Sequence, residues 1–293
     1  MRPGALAELV RAPAALSVPG DVVAGAAAAG VLDRRTAGLA CASVCLYWAG
    51  MAANDWADRD LDATERPDRP IPSGRVSAPA ALGVAAGLTA AGIAIAGATG
   101  GRRALSVAGP LAAAVWAYDL KAKNTNAGPL AMAACRALDV LLGASTGRVA
   151  RAVPAALAVG VHTYTVTALS RGEVGGTRPR VAAATLVTTA AVAGAVAAVP
   201  GHIPYLRRAQ PPPGTTTATV LVADYARQYG VAQARVLTDP AAPTVRAAVG
   251  AGITALPALQ GALTARAGAP LAGVLVAAAA PIGRALARWI SPT

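Results

Sequence analysis

Long apolar runs separated by short polar turns make up most of this chain. They recur at about 12–32, 36–53, 79–99, 104–119, 129–147, 152–170, 181–199, 245–264 and 268–287. A helix needs about 20 mostly apolar residues to cross a bilayer. The pattern therefore predicts an all-α, polytopic membrane bundle of about nine transmembrane helices, several of them short or interrupted by proline. Residues 1–293 read as a single domain with no separate unit outside the membrane. The first run holds Pro19 and Asp21, and no small-residue cleavage site follows it, so it is expected to be a retained span. The stretch 201–243 breaks the pattern. Its start, with Pro204, Pro211, Pro212, Pro213 and three threonines, predicts a loop. Residues 218–237 predict an amphipathic helix on the membrane surface or a lid over a cavity.

Composition agrees with that reading. The 293 residues are 55% hydrophobic and only 14% charged, with a mean hydropathy of +0.49, which excludes an ordinary soluble domain. The apolar residues are mainly Ala, Val, Leu and Gly, with no Phe, and small side chains let helices approach closely in lipid. The net charge of +12 sits as single or paired basic residues at helix ends. That distribution suits anionic lipids or an anionic substrate and not nucleic acid. Lys and Arg show a slight preference for the side carrying the N-terminus, which puts that side in the cytoplasm. The expected location is a bacterial cytoplasmic membrane. Cys41, Cys45 and Cys135 lie within spans without the His or further Cys of a metal site, so they read as packing residues.

Chemistry concentrates directly after the second run. From Asn54 to Gly74 the chain carries six carboxylates and three arginines in 21 residues, against 14 acidic residues in all. If the second helix continues past Asn54, Asp55, Asp58 and Asp62 fall within about 60° of one another at about 100° per residue. Asn54 lies just beyond that stripe, and Asp60 points away. Three carboxylates and an amide oxygen offer the hard donors that Mg²⁺ prefers, with water and substrate phosphate completing its shell. Arg66 and Arg69 can donate to the same phosphate oxygens. Pro67, Pro70 and Pro72 stop the helix, and Ser73-Gly74 turns the chain.

Asn54-Asp55, Asp58 and Asp62, followed by Arg66, Arg69-Pro70 and Ser73-Gly74, resemble the first aspartate-rich motif of the UbiA superfamily of membrane prenyltransferases. The resemblance implies a helical bundle that binds Mg²⁺ and an isoprenyl diphosphate and joins the prenyl group to a lipophilic, often aromatic, acceptor. It makes Asp55, Asp58 and Asp62 the expected catalytic residues. Tyr118-Asp119-Leu120-Lys121, with Lys123 and Asn124, is similar to the family's diphosphate-contacting loop, and Lys121 is the expected contact. At the end of the sixth run the family pattern D-x-x-x-D is replaced by Ser170-Arg171-Gly172-Glu173-Val174-Gly175-Gly176. Glu173 alone is expected to hold a second Mg²⁺, or Arg171 to contact the phosphate directly, or turnover to be lost. These sequences resemble a divergent bacterial branch of the family.

Arg136, Asp139, His162 and Tyr164 lie within spans, where ionisable groups face a cavity or one another. Arg136 and Asp139, at i,i+3, are expected to pair locally, and His162 to satisfy a neighbouring helix. The function implied is Mg²⁺-assisted prenyl transfer from an isoprenyl diphosphate to a lipophilic acceptor. Two alternatives stay open: a binding or export component without turnover, and a terpene cyclase of the same fold. Four Trp, six Tyr and no Phe offer few aromatic faces for the carbocations of a cyclase.

Overall fold

The computed structural model describes residues 3–198 and 214–279, and all of its regular structure is helical. The elements are α1 (Pro3–Leu9), a 3₁₀ turn (Ala12–Ser17), α2 (Pro19–Ala29), α3 (Arg34–Ala57), α4 (Arg59–Glu65) and α5 (Ala78–Ala117). A π turn (Tyr118–Ala122) follows, then α6 (Gly128–Ala144), α7 (Val149–Ser170), α8 (Pro179–Ala197), α9 (Thr215–Thr238) and α10 (Ala242–Arg266). A short apolar helix, α11 (Pro270–Ala279), comes after α10. Five of the described helical stretches are long and apolar enough to cross a bilayer: Arg34–Ala57, Ala78–Ala122, Val149–Ser170, Pro179–Ala197 and Ala242–Arg266. The nine-run layout is compatible with this set.

Local signals explain where helices begin and end. Asp33 caps α3, accepting from the Arg35 amide at 2.7 Å, while the Thr36 hydroxyl accepts from the Asp33 amide in return. α5 counts 40 residues, about 60 Å if straight and twice a bilayer's core. It is not straight. Gly101 adopts φ 63°, ψ −152°, a conformation open essentially to glycine alone. The chain folds back there so tightly that a Cβ on Gly97 would lie 3.1 Å from Leu105 Cδ2. The third and fourth apolar runs of the sequence, 79–99 and 104–119, are thus two passes joined at a glycine.

Small residues set the spacing of the bundle. A Cβ on Gly25 would lie 1.8 Å from the Val140 carbonyl oxygen, and one on Gly143 would lie 2.0 Å from that of Val22. α2 and α6 therefore touch backbone to backbone, the close approach that small residues permit in lipid. Of the irregular stretch 201–243, residues 201–213 lie outside the described residues, as does the end of the ninth run. Residues 215–238 form α9, which packs between α8 and α10 and buries Tyr225, Tyr229 and Gln233 completely. His162 of α7 meets this helix through Tyr225, with Nδ1 3.0 Å from the phenol oxygen. The histidine is thus satisfied by a neighbouring helix.

Candidate functional site

The aspartate-rich stretch straddles a helix junction. α3 ends at Ala57, Asp58 sits at φ −89°, ψ 3°, and α4 restarts at Arg59. Backbone i→i−4 hydrogen bonds continue across the junction, from Asp58 N to Asn54 O at 2.9 Å and from Asp62 N to Asp58 O at 2.8 Å. The helical register is therefore kept, and the carboxylates share one face despite the bend. Asp55 and Asp62 are buried, at 4% and 3% exposure, whereas Asp60 is exposed and pairs only with its neighbour Arg59.

Two cations clamp the stripe. The Arg69 guanidinium reaches Asp55 Oδ1 at 3.0 Å and Asp62 Oδ2 at 2.9 Å. Lys123 Nζ reaches Asp58 Oδ1 at 2.6 Å and donates to Asn54 Oδ1 at 3.0 Å. Asn54, Asp55, Asp58 and Asp62 are thus each held by a positive side chain, Arg69 from the loop after α4 and Lys123 from beyond the π turn. Lys123 takes this place because the π turn inserts a residue. The Lys123 amide bonds back to the Tyr118 carbonyl at 3.0 Å, an i→i−5 step. It brings Lys123 one turn beyond Tyr118 and Asp119 on the same face. Asp119 is buried at 3% exposure and lies within electrostatic reach of Lys123, Arg11, Asp58 and Asp55.

Arg11 is the member that sequence reading missed. Its NH2 donates to Asp55 Oδ1 at 2.9 Å across 44 residues. Among the described residues it is the one non-glycine with positive φ, at φ 48°, ψ 51°. Left-handed backbone costs an L-residue roughly 1–2 kcal/mol, and here it aims the guanidinium at the motif. A lone arginine ahead of the first span carries no sequence signal of that role.

The other expected residues divide. Arg171 donates to the Thr125 carbonyl in the loop that carries Lys123, so the end of α7 closes over the same region. Arg66 and Lys121 are exposed. Glu173, in the turn after α7, lies near Arg246 of α10, whose guanidinium donates to the Glu173 carbonyl. Partial burial pushes the Glu173 carboxyl up, and the charge of Arg246 partly offsets the shift. The local pair expected between Arg136 and Asp139 is not what forms. Arg136 Nε pairs with Asp21 Oδ2 of α2 at 2.8 Å, and Asp139 accepts from the Ser43 hydroxyl at 2.7 Å. The close helix contact between α2 and α6 brings Asp21 to the arginine.

Behind the motif, α3, α5 and α6 enclose an apolar cavity with about 80 Å³ open to water-sized molecules. Leu46, Met51, Leu111, Val115 and Met132 supply much of its wall, and Asp119, Ser43, Arg136 and Asp139, with Tyr47 and Tyr118, are among its polar lining. Among the described residues no group of three His, Cys, Asp or Glu side chains is set to hold a metal unaided. Mg²⁺ does not demand one, because it binds through one or two carboxylates with water and phosphate. The hard oxygens of Asn54, Asp55, Asp58 and Asp62 fit that chemistry.

Comparison with known proteins places this arrangement. Residues 16–201 match the UbiA prenyltransferase family. A digeranylgeranylglyceryl phosphate synthase of Ignicoccus hospitalis is 33% identical over 169 residues, 53% of this chain and 54% of that protein. The chloroplastic chlorophyll synthase of Arabidopsis thaliana is 39% identical over 83 residues, 26% of this chain and 21% of that protein. The chain thus spans about half the length, or less, of the curated relatives it matches. A UbiA homologue from Archaeoglobus fulgidus, solved with GPP and Mg²⁺ bound, superposes with a TM-score of 0.62 at 14% identity, covering 94% of this chain and 99% of that one. A UbiA homologue from Aeropyrum pernix gives 0.62 at 20% identity, covering 90% and 97%. This chain belongs to the UbiA prenyltransferase family, and it is an integral membrane protein with that family's fold.

Proposed function

We propose that this protein transfers an isoprenyl group from its diphosphate to a lipophilic acceptor within the membrane. The observation that carries the reading is the double clamp: Arg69 on Asp55 and Asp62, and Lys123 on Asn54 and Asp58. Oxygen donors for a divalent cation and cationic donors for a diphosphate stand at the same point, in electrostatic reach of Asp119, which lines the apolar cavity behind them. Mg²⁺, when bound by Asn54, Asp55, Asp58 and Asp62, supplies the charge that lets pyrophosphate leave. Carboxylates engaged in this way free Arg69, Lys123 and Arg11 to donate to phosphate oxygens, which gain charge as the C–O bond breaks. Arg171 caps this region, while Arg66 and Lys121 stand at the exposed rim and contribute less. The acceptor's nucleophile then forms the new bond to the allylic carbon and gives up a proton. The apolar walls exclude water that would otherwise capture the cation. Glu173 is the proposed ligand of a second Mg²⁺. The slight Lys/Arg preference supports a site facing the cytoplasm of a bacterial cell.

The reading is supported by relatives named as digeranylgeranylglyceryl phosphate and chlorophyll synthases. A second reading, binding or export without turnover, is favoured by the position of Glu173, a single carboxylate beside Arg246. Purified protein in nanodiscs, given labelled geranyl, farnesyl or geranylgeranyl diphosphate with Mg²⁺ or EDTA and a lipid-extract acceptor pool, separates the two. Mg²⁺-dependent pyrophosphate release with a prenylated product supports transfer. Tight Mg²⁺-dependent binding without release supports the second reading.

A further inference from the structure

Asp119, in electrostatic reach of Asp55, Asp58 and Lys123, lines the cavity behind the aspartate stripe, and a second buried carboxylate, Asp139, lines the same cavity. Ser43 and Asp55 lie 12 residues apart on α3, about 18 Å along the helix axis. Gly50, whose Cβ position would be 3.2 Å from Asp119 Oδ2, falls between them. Cys135 of α6 is in electrostatic reach of both Asp119 and Asp139, so the two carboxylates flank the same stretch of cavity wall, roughly two helical turns apart along α3.

The inner group has an imbalance. Asp21 has a partner near each oxygen: Arg136 Nε lies 2.8 Å from Oδ2 as an ion pair without hydrogen-bond geometry, and Gln260 Nε2 donates to Oδ1 at 2.6 Å. The remaining reach of Arg136 goes to the Ser17 carbonyl at 3.4 Å. Asp139 receives only the Ser43 hydroxyl, and its Oδ1 is buried with no hydrogen-bond partner, although Asp139 is 4% exposed and lines the cavity. The guanidinium pairs with Asp21 alone, so Asp139 keeps an unpartnered acceptor in the wall of a largely apolar cavity. Such a group is expensive in a membrane interior unless something fills it. Its complement is a hydrogen-bond donor. A carboxylate or phosphate would be repelled.

We propose that Asp139, held by Ser43, anchors the acceptor by a hydroxyl, phenol or N–H donor at the end remote from the atom that is prenylated. The inference rests on the transfer reading for the word acceptor, and it narrows the substrate class. The acceptor is a lipophile with a neutral donor at its inner end, not one that buries an anionic head there. Asp139 is a positioning residue for the reaction at the other end of the cavity.

The test compares three probes that share a tail and differ in head group: para-octylphenol, para-octylanisole and para-octylbenzoate. Binding to the full chain in nanodiscs is followed by scintillation proximity, without diphosphate and without Mg²⁺. The wild type should hold the phenol about tenfold more tightly than the anisole, the ratio expected of one hydrogen bond to a buried charged group. The benzoate should bind weakest. Asp139→Asn should bring phenol and anisole within about twofold and relieve the exclusion of the benzoate, and Ser43→Ala should fall between. Should Asp139→Asn fail to fold, the wild-type order and Ser43→Ala decide. Equal binding of phenol and anisole by the wild type, or an unchanged order in Asp139→Asn, overturns the anchor. Pyrophosphate release is measured in parallel. Release without phenol preference removes the anchor alone, whereas phenol preference without release keeps the anchor and removes the transfer reading.

Discussion

Lys123 Nζ lies 2.6 Å from Asp58 Oδ1, joining residues 65 positions apart in the chain. The bond exists because a π turn carries Lys123 to the face of Tyr118 and Asp119, while Lys121, two residues earlier, is exposed. Lys123→Ala should lower kcat/KM for pyrophosphate release at least tenfold, the usual scale for losing a charge-assisted hydrogen bond. Lys121→Ala should stay within about threefold. The comparison is made with the same allylic diphosphate and saturating Mg²⁺.

The aspartates should separate by the face they occupy. Asp55→Ala and Asp58→Ala should each abolish Mg²⁺-dependent diphosphate binding, whereas Asp60→Ala should be mild, since Asp60 is exposed and touches only Arg59. Equilibrium binding of a non-hydrolysable isoprenyl diphosphate reads this directly. Equal losses from all three variants would contradict the shared-face arrangement.

Glu173→Gln should raise the Mg²⁺ concentration needed for half-maximal turnover several-fold if the side chain ligates a second ion. A Mg²⁺ titration decides it. An unchanged midpoint would assign Glu173 to the contact with Arg246 instead.

The buried pair of Asp21 and Arg136 should behave as a unit. Arg136→Met leaves Asp21 buried with Gln260 as its remaining partner and should cost about 3–5 kcal/mol. Combining it with Asp21→Asn should recover much of that loss. Thermal unfolding in a single detergent provides the double-mutant cycle, and simple additivity would refute the pairing.

Glycine contacts predict a further contrast. Gly143→Ala drives a methyl group toward the Val22 carbonyl oxygen, 2.0 Å from the Cβ position, so α2 and α6 must separate. Overpacking of this kind costs about 1–3 kcal/mol. Gly109→Ala meets nothing within 4 Å and should leave stability unchanged by the same unfolding assay.

The all-α bundle and the aspartate stripe were legible in the chain before any coordinates. Burial in lipid forces backbone polar groups to pair within a segment, so long apolar runs become helices whatever their partners. The 3.6-residue period likewise puts Asp55, Asp58 and Asp62 on one side as long as the helical register survives, and the i→i−4 bonds across Asp58 preserve it. These are local properties, written in composition and spacing. The long-range pairs are different in kind. Arg11 with Asp55, Lys123 with Asp58 and Arg136 with Asp21 each join segments 44 or more positions apart. In an Ala- and Gly-rich bundle many helix faces have nearly equal hydrophobicity, so periodicity barely marks which face turns inward. The choice falls to features that act only after assembly: the backbone contact of Gly25 and Gly143, the reversal at Gly101, the inserted residue of the π turn and the left-handed Arg11. Asp139 shows the consequence. Its sequence neighbour Arg136 was the obvious partner, yet packing gave that arginine to Asp21 and left Asp139 facing the cavity.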